Sequence, residues 1–286
     1  MSKTIRLVVP DWQGGNKPAY HFGAQLLSWL APENDRQKKI EIAVEEPGEQ
    51  ELSSENGVVA QTAVKRTVRI AAEVPEDEQP DKVITFGGSC LVSQAPFSYL
   101  RKRYGNTLGV LWIDSHPDVS TPEVYHHEHA MVLGNLLGAG DPALAIDADC
   151  AFSPDQFLYI GMQEPLEAET ALLDKLGLTY TVQREHALSS EDIQDWIDRN
   201  RFEHIAIHLD LDVLDPTLFR SLYFSEPGVE LFPSESGTMT LDLLQSILIK
   251  AMENNDVVGF TVAEFLPWDD LNLKRMLGSL SIFDGS

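Results

Sequence analysis

Eight short runs of β-branched and aliphatic residues recur along the chain, at Ile5–Val9, Ile40–Val44, Val83–Phe86, Leu108–Ile113, Phe157–Ile160, Tyr180–Val182, His204–Leu211 and Val257–Ala263. Such runs suit strands buried on both faces of a parallel sheet. Between them lie stretches of amphipathic helical pattern: Tyr20–Leu30, Val58–Glu73, Ser93–Arg103, Leu166–Leu176, Ser189–Arg199 and Thr240–Asn254. Ser189, with Asp192 three residues on, and Thr240 before Leu241 are suitable N-caps. Alternating β and α units imply an α/β fold whose parallel sheet is covered by helices on both sides. No repeat, low-complexity tract or composition shift divides the chain, so residues 1–286 are expected to form a single domain.

Charge narrows the function classes. Forty-five Asp and Glu oppose 21 Lys and Arg, a formal net charge of −24. A nucleic-acid binder needs a basic face, and an anionic membrane surface attracts basic residues, so neither is an expected partner. No apolar run approaches the roughly 18 residues of a transmembrane helix. Two cysteines, Cys90 and Cys150, make no disulfide framework. With no signal-peptide pattern at the start, the expectation is a soluble cytoplasmic protein. The acidic, turn-rich segments Glu45–Glu55 and Glu73–Asp81 read as solvated surface.

The chemistry sits where strands end, the place where open parallel sheets bind ligands. Leu108–Ile113 runs into Asp114-Ser-His116-Pro-Asp118; Ile205–Leu209 runs into Asp210-Leu-Asp212-Val-Leu-Asp215; Val257–Ala263 runs into Glu264. In extended chain, residues two apart share a face, which groups Asp114 with His116 and Asp118, and Asp210 with Asp212. Carboxylates converging without a nearby Lys or Arg repel one another and shift each other's pKa, and a bound divalent cation removes that conflict. Carboxylates with one imidazole suit Mn²⁺, with Zn²⁺, Fe²⁺ and Ni²⁺ also possible. An EF-hand over Asp210–Ser221 fails, because Asp215 stands where glycine is needed and Ser221 where the bidentate glutamate belongs.

This set resembles the arginase/agmatinase (ureohydrolase) family. Carrying the resemblance are Phe86-Gly-Gly88, Trp112-Ile-Asp-Ser-His-Pro-Asp118, Thr121-Pro122, Tyr159-Ile-Gly161, His208-Leu-Asp-Leu-Asp-Val-Leu-Asp-Pro216, Ser236-Gly-Thr-Met-Thr240 and Val262-Ala-Glu264. The resemblance implies a three-layer α-β-α fold with a central, mostly parallel eight-stranded sheet, assembly as a homo-oligomer (trimer or hexamer) and one or two divalent ions, with Mn²⁺ expected. The implied reaction is hydrolysis of a guanidino or amidino C–N bond by a metal-activated hydroxide. By position, Asp114 and Asp210 would bridge two metals, His116 and Asp212 would complete one site, and Asp118 would belong to the other and pass on a proton. Glu264 would pair with the guanidinium, His129 would shuttle a proton to the leaving amine, and Asp215 would brace the loop. Ser120, His127 and Glu264 are the implied substrate-binding residues.

The pattern breaks at Gly87-Gly88-Ser89-Cys90, where most of the family reads Gly-Gly-Asp-His. Cys90 thus stands at a metal-ligand histidine position. It either ligates as a thiolate and favours a softer ion, or leaves the second metal weak or missing, or is an inert buried thiol in a chain that has lost activity. The rival to an enzyme is therefore a pseudoenzyme with a partial metal site, acting as a binding or regulatory protein. Glu164-Pro-Leu166 and Ser120 also depart from the arginine-cleaving pattern, so the substrate is some guanidino or formimino compound, as in arginases, agmatinases and formimidoylglutamases, without arginine being implied.

Overall fold

The computed structural model describes residues 2–49, 51–184, 187–280 and 282. In chain order the elements are β1 (Thr4–Val9), α1 (Ala19–Leu30), β2 (Lys38–Glu41), the small hairpin β3 (Ser54–Glu55) and β4 (Val58–Val59), α2 (Gln61–Glu78), β5 (Lys82–Gly87), α3 (Gln94–Tyr104), β6 (Leu108–Ile113), α4 (Val132–Leu136), β7 (Phe157–Ile160), α5 (Glu167–Leu176), α6 (Ser190–Asn200), β8 (His204–Asp210), α7 (Leu241–Asn254), β9 (Asp256–Ala263) and α8 (Trp268–Gly278).

The main sheet runs β2-β1-β5-β9-β8-β6-β7, and each neighbouring pair is parallel. Its two faces are visible in the alternation along single strands. Val110 and Trp112 pack with Phe97, Leu100 and Leu133 from α3 and α4, whereas Leu111 and Ile113 pack with Ile193, Ile197, Leu244 and Ile247 from α6 and α7. All six residues of β6 are buried. A strand covered on both faces must be apolar at every position, which is why these runs lack polar alternation. The result is a three-layer α-β-α arrangement.

Three local expectations differ from the structure. Among the described residues the main sheet has seven strands, not eight, and Tyr180–Val182 forms no ladder. Val182 is buried, and the next residue, Gln183, donates its N–H to the Met162 carbonyl just beyond β7 at 2.8 Å. The edge strand β2 begins at Lys38 instead of Ile40, because its register follows the β1 ladder (Ile5 opposite Lys38, Val8 opposite Glu41), and an edge tolerates charge. Helix α2 continues through Pro75 to Glu78, although the residue before a proline usually ends a helix. Pro75 is itself buried, and its carbonyl accepts the Gln79 N–H at 2.9 Å. The acidic segment after Glu73 is thus largely helical.

Strand ends converge closely at Gly88. Its N–H donates to the Val9 carbonyl at 3.0 Å and its carbonyl accepts from the Glu264 N–H at 2.8 Å, tying the turn after β5 to β1 and β9. A Cβ on Gly88 would lie 1.7 Å from the Asp11 carbonyl oxygen, so only glycine fits. Among the described residues no helix is long and apolar enough to cross a membrane.

Candidate metal centre

Four adjacent strands, β5, β9, β8 and β6, deliver Cys90, Glu264, Asp210 and Asp114 from their carboxyl ends. Asp114 is fully buried, and its Oδ1 accepts the His116 N–H at 2.7 Å. Asp210 repeats the device, accepting the Asp212 N–H at 2.7 Å. Each strand thereby turns sharply at its first acid and aims the side chain two residues on, His116 after β6 and Asp212 after β8, into the same space. Asp118 and Glu264 both adopt left-handed backbone, at φ +51° and +64°. That conformation costs a non-glycine residue on the order of 1 kcal/mol or more and is concentrated at functional sites. Asp118 is held in it by its carbonyl, which accepts the Leu133 and Gly134 N–H groups at the start of α4.

The donors fall into three overlapping groups, one of Cys90, Asp210 and Glu264 and two that share Asp114. His116, Asp114 and Asp212 form one, with His116 Nδ1 3.0 Å from Asp212 Oδ2 and 3.7 Å from Asp114 Oδ1. Cys90, Asp114, Asp118 and His208 form the other, their donor atoms all within 4.8 Å of one another. Asp210 joins the second group through Cys90, whose Sγ donates to Asp210 Oδ2 at 2.8 Å. Three buried atoms here lack any hydrogen-bond partner: Asp114 Oδ2, Asp118 Oδ2 and His208 Nε2. Buried acceptors left bare cost roughly 1–3 kcal/mol each, so two carboxylate oxygens and an imidazole nitrogen left bare beside the Cys90 thiol fit a cation.

The electrostatics agree. Burial, and then the neighbouring Asp114 carboxylate, drives Asp118 well above the usual carboxylate range. Burial and Asp212 do the same to Asp210, and burial raises Asp114. Burial and Asp210 push the Cys90 thiol up. Burial alone would lower His116, but the Asp212 and Asp114 carboxylates outweigh it and raise it to about 10. Burial thus disfavours the ionised form of Asp114, Asp118 and Asp210, and a divalent ion would restore it.

Glu264 lies beside this cluster, bonded by the Tyr20 hydroxyl at Oε2 and facing His129 Nδ1 at 3.1 Å through Oε1. Both groups line a cavity of about 360 Å³ with Asp118, Ser120, His127, Asp210 and Asp212. The sequence-derived residues therefore meet in one place, with Cys90 and Asp114 buried beneath the cavity floor. Ser120 and His127 lie in the wall, the Ser120 hydroxyl and His127 Nδ1 unpartnered. Asp215 holds Thr217 through its side chain and Met239 through its backbone N–H, bracing the loop after β8. Cys150 is exposed.

Sequence reasoning passed over Tyr20, Asp11 and His208. Tyr20 reaches the site from 244 positions away, and no local signal marks it. Asp11 accepts the Ser89 hydroxyl at 2.6 Å, which pins the turn carrying Cys90. His208 stands two residues before Asp210 on one strand, a period-two relation that the sequence does display.

The chain matches the model of the Arginase family over residues 24–278. It is 23% identical over 239 residues to an arginase of Staphylococcus aureus, spanning 73% of this chain and 74% of that one. An arginase of Coccidioides immitis is 28% identical over 177 residues, and there the match spans about half of each protein, 54% and 53%. Among solved structures, Entamoeba histolytica arginase in complex with L-ornithine superposes with a TM-score of 0.75 at 17% identity, covering 98% of this chain and 99% of that one. Formimidoylglutamase from Bacillus subtilis gives 0.61 at 15% identity over 92% of this chain and 78% of its own. A family match over nearly the whole length, on a three-layer sheet whose strand ends gather these acids, makes the chain a member of the arginase family.

Proposed function

We propose that this chain is a metal-dependent hydrolase that cleaves a C–N bond of a small guanidino or amidino substrate. One observation carries the reading: groups of ligand-type side chains meet around Asp114 just beneath a cavity that Asp118, Asp210, Asp212 and the Glu264 carboxylate line. His116 and Asp212 would hold one ion and Cys90 and Asp118 the other, with Asp114 and Asp210 placed to serve both. Divalent ions bound there supply Lewis acidity, lowering the pKa of water to near neutrality. The carboxylate-rich His116 group suits Mn²⁺.

The protein's own groups supply orientation and proton movement. Tyr20 and His129 fix the plane of Glu264, whose two oxygens match the planar fork of an amidinium and hold its trigonal carbon over the acids. Asp118, which burial alone would keep protonated, would be held as the carboxylate by a bound cation, and in that form it could accept the proton of the attacking water and pass it on. His129 contacts Glu264 on one side and the cavity on the other, so it can carry a proton to the leaving nitrogen. Arginine is not the assigned substrate. Glu164 is exposed and faces Arg184 at 3.9 Å, and Leu166 occupies the cavity rim. We assign the chain as a single domain acting in the cytoplasm as a homo-oligomer of trimeric or hexameric type.

The test is a screen of guanidino and formimino compounds against Mn²⁺-loaded protein, following release of the amine product. Turnover that disappears in Asp210→Asn supports the assignment. Turnover surviving that change, or none with any compound, overturns it.

A further inference from the structure

We propose that His208 supplies the imidazole that position 90 lacks, so that Cys90, Asp114, Asp118 and His208 together hold one divalent ion. The inference rests on the metal-dependent reading of the site and adds to it a ligand from a different strand. His208 lies directly opposite Trp112 in the β6–β8 register, and the two rings stack at 3.8 Å with planes 14° apart. Its Nδ1 meets the Ser93 hydroxyl at 2.7 Å. Ring stacking and the Ser93 bond fix the remaining nitrogen, Nε2, toward Asp114 Oδ2 at 3.5 Å, the outer limit of a hydrogen bond, and neither of those two atoms has any other partner. Both residues are wholly buried.

A second-row partner that orients a ligating imidazole through its other nitrogen is what metal sites regularly contain. Ser93 fills that role, and it stands in the same short turn that Cys90 opens. The family imidazole would come from the turn after β5; here that turn gives a thiol, and the strand two places away gives an imidazole instead. The pocket therefore keeps one nitrogen donor and gains a sulfur. A thiolate and an imidazole among the carboxylates shift preference from Mn²⁺ toward Zn²⁺, Fe²⁺ or Co²⁺, whereas the His116 group keeps the harder donor set.

Cobalt(II) added alone to the metal-free protein tests this, with ion count by equilibrium dialysis and absorption as readouts. The wild type is expected to bind two ions per chain, with a near-ultraviolet thiolate-to-cobalt band from Cys90. His208→Asn keeps a polar group for Ser93 but removes Nε2. It is expected to lose the second ion, with affinity down by more than about 100-fold, since loss of even an outer partner costs 10–100-fold. Cys90→His in that background is expected to restore the second ion without the band.

Two ions held with unchanged affinity by His208→Asn would overturn the proposal. A wild type that binds one ion and shows no thiolate band overturns it while leaving the His116 site standing, and a wild type that binds none overturns the metal-dependent reading as well. If His208→Asn fails to fold, long-range ¹H–¹⁵N correlation on the wild type with Cd²⁺ decides. A large shift of the His208 Nε2 resonance supports ligation, and an unmoved one refutes it.

Discussion

His129 Nδ1 lies 3.1 Å from Glu264 Oε1, while the other oxygen of the same carboxylate accepts the Tyr20 hydroxyl. One carboxylate is thus clamped from two elements remote in sequence, on a left-handed backbone that cannot relax freely. A group held so rigidly serves recognition, because its plane is set before a planar cation arrives.

Glu264→Gln removes the charge and keeps the shape. Truncating one partner of a buried charge pair costs about 2–5 kcal/mol, so kcat/KM is expected to fall by roughly two to three orders of magnitude. Tyr20→Phe frees one oxygen and is expected to cost about tenfold, mostly in KM. Steady-state kinetics on the screened substrate separate the two, and a Glu264→Gln enzyme with unchanged kcat/KM would remove Glu264 from recognition.

Metal uptake near neutral pH should release protons. The Asp212 and Asp114 carboxylates hold His116 near 10, so at pH 7.5 it is protonated in the metal-free protein, whereas a ligating imidazole nitrogen must be bare. Isothermal titration of Mn²⁺ in buffers of differing ionisation enthalpy measures the release. At least one proton per ion is expected in the wild type, falling by about one in His116→Asn. Identical release from both proteins would show that His116 does not ligate.

How far the site could be read from the sequence depended on how its residues are placed. Asp114, His116, Asp118, Asp210 and Asp212 follow apolar strands, and that position at the strand ends groups them, although the chain turns at Asp114 and Asp210 instead of staying pleated as expected. Seven of the eight foreseen strands exist for the same reason, their burial on two faces being written into continuous apolar runs. Tyr180–Val182 has the composition of a strand but makes no ladder, and composition cannot report on hydrogen-bond partners. Tyr20 and Asp11 enter through loops and a helix folded over the strand ends, contacts with no local periodicity. His208 was legible by its spacing from Asp210, yet an imidazole inside a buried strand reads equally as core.

The metal-free protein should gain stability from losing one of its own acids. Burial and Asp212 raise Asp210, so the folded state holds a proton that the unfolded chain gives up near pH 4. For such a group the slope of stability with pH is negative above the unfolded pKa, meaning that stability falls as pH rises from about 4. Asp210→Asn is neutral and keeps an acceptor for Cys90, so its metal-free Tm at pH 7.5 is expected to exceed that of the wild type. With saturating Mn²⁺ the order reverses, because only the wild type is stabilised by binding. Thermal denaturation with and without Mn²⁺ gives both comparisons, and a variant less stable under both conditions would show that Asp210 supports the fold independently of any ion.

A second buried acid, away from the metal cluster, isolates the same effect. Glu128 is fully inaccessible, its Oε1 accepts the Asn135 amide at 2.7 Å, and its Oε2 has no partner. Burial raises it to about 8, the Asn135 bond opposing only in part. The folded protein therefore carries a proton on Glu128 between the unfolded value near 4.3 and about 8, where the unfolded chain carries none. Within that window the stability contribution declines by up to about 1.4 kcal/mol per pH unit, and above it the decline stops. Glu128→Gln, which keeps an oxygen for Asn135 and adds a donor toward Asp141, is expected to flatten the pH dependence of Tm between 5 and 8 and to match the wild type best at the acid end. If the two proteins lose Tm in parallel from pH 5 to 8, Glu128 is ionised in the folded state and another group carries the slope.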